Sequence, residues 1–158
     1  MRTRFVTPFL VTLLFTSMTA MADDLQVDSA WARATPPGGG HGAGYLNIHN
    51  HSNETQRLVG ATFAPADHVE VHRSTEQDGM SRMEHMRDGV EIEPHGTLNL
   101  QPGGYHLMLM KLESPLVEGE EHPLTLIFEP AGEVETTLNV RSRDSDGHSG
   151  GHEHHHHH

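Results

Sequence analysis

The chain has 158 residues, a formal net charge of −12 at pH 7 and no cysteine. That length fits one ordinary domain, and at this size about 68–70% of the unfolded surface can leave water, so a core forms without covalent staples. The missing thiols exclude disulfides, thiolate zinc and iron–sulfur centres, a cysteine nucleophile, a blue-copper centre and, within this sequence, a diacylglyceryl anchor, while an acidic surface with Lys111 as its single lysine excludes nucleic acid.

Arg2 and Arg4 precede an apolar run from Phe5 to Met18, and Ala20-Met21-Ala22 supplies small residues for cleavage. Residues 1–22 are therefore expected to be a secretory signal peptide. The run is shorter than the roughly 20 residues that span a bilayer, and no later stretch approaches that length, so no membrane span is expected. The mature chain is read as exported. After cleavage five methionines remain, all between Met80 and Met110.

Residues 23–143 form the predicted domain. Short β-type runs follow one another without a sustained 3.6-residue period: Leu25 to Arg33, Gly44 to His49, Arg57 to Phe63, His68 to His72, Ser81 to Met86, Val90 to Ile92, Thr97 to Leu100, His106 to Lys111, Leu124 to Phe128 and Glu135 to Val140. Turn residues separate them, among them Asp78-Gly79, Asp88-Gly89, Pro102-Gly103-Gly104 and Pro130-Ala131-Gly132. The expected fold class is all-β, a single-domain Greek-key sandwich or barrel. Residues 144–158 turn to Ser, Asp, Gly and His, which cannot build a core, and are expected to form a flexible His-rich tail.

Strand parity places the candidate ligands. In His68-Val69-Glu70-Val71-His72 the valines take the core face, which leaves His68, Glu70 and His72 opposite. In His106-Leu107-Met108-Leu109-Met110 the leucines take the core, which leaves His106, Met108 and Met110 outside. The segment Met80 to Met86 has no clear aliphatic face, though Met83 shares parity with His85. A methionine is ordinarily an adaptable core filler. Here the thioethers sit at positions the core does not claim, beside histidines. Thioether prefers Cu(I), imidazole accepts copper or zinc, and an oxidising compartment disfavours free thiols, so the mixture points to copper. Trp31 is expected in the core. His41, His49, His51, His68, His85, His95 and His122 lie in or beside turns and receive no role.

Val69-Glu70-Val71-His72, a methionine eleven residues on, and Pro102-Gly103-Gly104-Tyr105-His106-Leu107-Met108-Leu109-Met110 together resemble the PCu(A)C family of periplasmic copper chaperones. The resemblance runs from Trp31-Ala32-Arg33-Ala34-Thr35-Pro36-Pro37, through Gly42-Ala43-Gly44-Tyr45, to Pro123-Leu124-Thr125-Leu126. It implies a cupredoxin-like fold and one Cu(I) held in the pattern His-x10-Met-x21-His-x-Met. His72, Met83, His106 and Met108 are the implied ligands. The interval from 84 to 105 holds 22 residues, one more than the pattern, and the extra residue is placed near Met86-Arg87-Asp88-Gly89. Met86 and Met80 are the substitutes if Met83 is displaced. The family's role implies delivery of copper to the CuA subunit of cytochrome c oxidase, alongside a Sco-type assembly protein.

The expected function is that of a non-enzymatic, monomeric Cu(I) metallochaperone. Its histidines must be neutral to coordinate, so Cu(I) affinity is expected to fall below roughly pH 6.5. His148, His152, His154, His155, His156, His157 and His158 form a second candidate metal element, suited to Cu(II) or zinc. A natural tail and an expression tag both fit that run. A periplasmic copper or zinc buffer working through the tail is the alternative function.

Overall fold

The computed structural model describes residues 24–144. The predicted signal peptide and, beyond Asp144, the predicted His-rich tail lie outside the described residues. Ten strands follow in chain order: β1 (Leu25–Arg33), β2 (His41–Asn50), β3 (Gln56–Thr62), β4 (Ala66–Gln77), β5 (Met80–His85), β6 (Val90–Ile92), β7 (Thr97–Leu100), β8 (Tyr105–Leu112), β9 (Glu121–Glu129) and β10 (Gly132–Arg141). Each predicted run coincides with one of them. The largest extension is β4, which continues past His72 because a hairpin partner, β5, waits there to pair with it.

The strands form one mixed sheet in the order β5-β4-β8-β7-β2-β1-β10-β9-β3-β6, and a β3–β4 contact at Ala61 and Val69 closes it into a barrel. The pairs β1–β10 and β7–β8 are parallel and the rest antiparallel. Closure removes most free edges, which a sheet must otherwise protect. The ends of β3 and β4 diverge, and the β5–turn–β6 segment fills the gap, β5 pairing with β4 and β6 with β3.

Alternation fills the inside. Leu46, Ile48, Leu58, Leu107, Leu109, Leu124, Leu126, Phe128 and Leu138 are fully buried in one cluster. Each such side chain contributes roughly 1.5–3 kcal/mol by leaving water. Val71 joins them from β4, so the residues flanking it, Glu70 and His72, must point outward.

The position of Trp31 corrects the sequence reading. Leu25 and Val27 face inward, and unbroken alternation would carry Trp31 to the same side. A register shift between Asp28 and Trp31, with Ser29 at φ 55°, reverses the parity. Ala30 and Ala32 enter the core instead, and Trp31 lies outside it, its ring 4.7 Å from that of Tyr45.

Candidate metal centre

The outer face of the β4–β8 seam collects the predicted donors. The two strands are antiparallel with His72 opposite His106, Glu70 opposite Met108 and His68 opposite Met110. Leu107 and Leu109 hold β8 from inside, Val71 holds β4, and the alternate residues meet on the surface. The His72 and His106 rings stand 5.8 Å apart between centroids, close enough to share an ion bound at about 2.0–2.1 Å from each nitrogen. Met108 lies one pleat from His106 on the same side.

Met83 also reaches this face. The Asp78-Gly79 turn, with φ of 55° and 72°, sets Gln77 opposite Met80, so Met83 faces Ser74 and His85 faces His72. Met83 is 56% exposed. Met86 packs against the core behind Val71, to whose carbonyl its amide donates, and Met80 falls on the other side of β5 at the hairpin tip. Of the three candidate methionines on this segment, Met83 is the one on the ligand face. After β5 the chain turns tightly: Gly89 N–H closes onto the Met86 carbonyl and Gly89 takes φ 77°.

Hydrogen bonds determine which nitrogens are free. A carboxylate can only accept, so His72 donates from Nε2 to Glu70 Oε2 at 2.7 Å, and the neutral ring keeps its lone pair on Nδ1. That Nδ1 is buried and makes no hydrogen bond within the protein. His106 donates from Nδ1 to the Gly104 carbonyl at 3.2 Å, which leaves Nε2 as its acceptor. The two histidines thus each retain one basic nitrogen, with the other fixed by an oxygen, the arrangement by which proteins orient metal-ligating imidazoles.

Electrostatics favour the required protonation states. His106 is only 5% exposed, and burial pushes its pKa down; the Gly104 bond opposes this and the neighbouring His72 reinforces it. The hydrogen bond from His72 holds the Glu70 carboxyl below the usual range, helped by His85 and His68. Glu70 is thus an anion at neutral pH, braced by His68 at 3.2 Å on its other oxygen.

From sequence, His85 received no role, and Glu70 was placed on the face of His72 without being counted as a ligand. His85 stacks on His72 with centroids 5.2 Å apart, and its Nδ1 lies 3.6 Å from Glu70 Oε2. The two-residue Asp-Gly turn was the available signal, because its register puts His85 beside His72.

The family described as "LpqE-like: Putative lipoprotein LpqE-like" matches residues 25–140. The copper-bound PCuAC domain from PmoF2 is similar in fold, with a TM-score of 0.64 and 25% identity over 75% of this chain and 93% of that one. The chain belongs to the PCuAC/LpqE-like copper chaperone family. DR1885 from Deinococcus radiodurans, solved with Cu(I), is similar too, with a TM-score of 0.59 and 32% identity over 72% of this chain and 75% of that chain. A "Putative lipoprotein Lxx21020" from Leifsonia xyli is 36% identical over 107 residues, 68% of this chain and 63% of that protein. The PCuAC-type domain here therefore spans less than two thirds of that curated relative. Among the described residues no helix is long and apolar enough to cross a membrane.

Proposed function

We propose that this PCuAC-type domain carries one Cu(I) on the outside of its barrel, bound by His72, His106, Met108 and Met83, and passes it to a partner by ligand exchange in the periplasm. The observation that carries this reading is the pairing of His72 with His106, whose uncommitted nitrogens accompany thioethers on the same face. Two imidazoles and two thioethers are a neutral, soft set that suits Cu(I) and forms no disulfide in an oxidising compartment. The relatives solved with copper and with Cu(I) support the choice of cargo.

The exposure of Met83 suits transfer. A ligand on an edge hairpin can be displaced by an incoming donor while His106 stays fixed under the seam. The acceptor proposed is the CuA subunit of cytochrome c oxidase or a Sco-type assembly protein.

Copper-edge X-ray absorption tests the site. The full chain, with its seven tail histidines changed to serine, is loaded anaerobically with one equivalent of Cu(I). Sulfur scatterers at about 2.3 Å are expected. A nitrogen-only spectrum would remove the His/Met site, and failure of the loaded protein to metallate a CuA domain would remove delivery to that acceptor.

A further inference from the structure

Beside the Cu(I) ligands lies a second donor set of different chemistry. Glu70, His72 and His85 each offer a donor atom within 4.8 Å of the others. His72 Nε2 stands 2.7 Å and His85 Nδ1 3.6 Å from the same oxygen, Glu70 Oε2. Tetrahedral donors at about 2.0–2.1 Å from an ion are roughly 3.3 Å apart, so small side-chain rotations would seat all three on one cation. We propose that Glu70, His72 and His85 form a site for a borderline divalent cation of the Zn(II) and Cu(II) class, and that it competes with Cu(I) for His72.

The chemistry separates this set from the thioether set. Two imidazoles and an anionic carboxylate match the protein ligands of open zinc sites and suit Cu(II), whereas they offer Cu(I) no soft donor. The carboxylate is already oriented. Glu70 Oε1 is held by His68 Nε2 at 3.2 Å, which turns Oε2 toward His72 Nε2 and His85 Nδ1, the two nitrogens that would share an ion with it. His72 and His85 stack across adjacent strands in fixed register.

Competition follows from the imidazole itself. A neutral ring has one lone pair. With Cu(I) on Nδ1, the proton of His72 sits on Nε2 and bonds Glu70; with a divalent ion on Nε2, the proton moves to Nδ1 and the ring can no longer serve Cu(I). This second statement rests on the proposed Cu(I) site, whereas the divalent site itself does not.

The test uses the full chain with the seven tail histidines changed to serine, titrated with Zn(II) against a chromophoric chelator and with Cu(II) by electron paramagnetic resonance. One equivalent of Zn(II) should bind, and one Cu(II) should show two nitrogen couplings. His85→Ala should lower Zn(II) affinity by about 10- to 100-fold and leave Cu(I) affinity unchanged. Met83→Leu with Met108→Leu should do the reverse. Equal Zn(II) affinity in the His85→Ala and parent proteins would overturn the site. If Zn(II) and Cu(I) bind together without weakening each other, the competition is overturned. A His85-dependent Zn(II) site in a protein whose Cu(I) spectrum lacks sulfur would uphold the divalent site and dismiss the Cu(I) reading.

Discussion

The β9–β10 hairpin and the β4–β8 seam are built alike on the inside and differently on the outside. Leu124, Leu126, Phe128, Leu138 and Val140 fill the barrel from one; Val71, Leu107 and Leu109 fill it from the other. Outside, β9–β10 presents the half-buried Thr125 and Ile127 beside the exposed Glu133, Glu135, Thr137 and Asn139. The seam presents His68, Glu70 and His72 against Met110, Met108 and His106. The inward residues of both regions specify the same barrel, so the outward residues of the seam are free to carry chemistry at little cost to the fold.

The sharpest way to break this comparison is to exchange the effects of the two faces. Leu126→Ala and Leu109→Ala should each destabilise the apo domain by about 2–5 kcal/mol, read from urea midpoints, because each leaves a cavity in a packed interior. Leu126→Ala should leave Cu(I) affinity unchanged wherever the variant is folded. His106→Gln should lower Cu(I) affinity by more than about 100-fold, measured anaerobically against a Cu(I) chelator. A smaller loss would mean that His106 is a structural group. Met108→Leu should weaken Cu(I) markedly while changing apo stability by less than about 1.5 kcal/mol, since the volume is conserved.

Acid should separate the faces next. His106 has its folded pKa lowered by burial, so around and below its unfolded value of about 6.5 the unfolded chain binds more protons than the folded one. Its contribution is fully present above that value and is lost as pH falls through the folded pKa. Urea midpoints of the apo protein should therefore decline on acidification, and His106→Gln should flatten that decline. Glu135→Gln, on the exposed β10 face, should move stability by no more than about 0.5 kcal/mol and copper affinity not at all.

Much of this contrast was legible in the sequence because period-two alternation is strong where Val and Leu claim one face, as in His68 to His72 and His106 to Met110. Those two runs placed His72, His106 and Met108 on the outward face, where the structure has them. The choice between sandwich and closed barrel was not legible, since the β3–β4 contact depends on twist accumulated around the whole sheet. Trp31 was misplaced because a bulge at Ser29 reverses parity without leaving a glycine or proline as a sign. His85 was overlooked because its importance arises from cross-strand register, which the Asp78-Gly79 turn sets, and not from its own neighbours in sequence.

The outward displacement of Trp31 has an optical consequence. It is the sole tryptophan, its ring lies against Tyr45 and within 4.8 Å of the Arg141 guanidinium, and Tyr45 in turn approaches His106 at 6.5 Å. An ion bound at His106 is then two ring contacts from the indole, and loading is expected to quench or shift its emission. The protein thus carries a native fluorophore wired to the seam, and loading, competition and hand-over could be followed in real time, without a label, by the light of one residue.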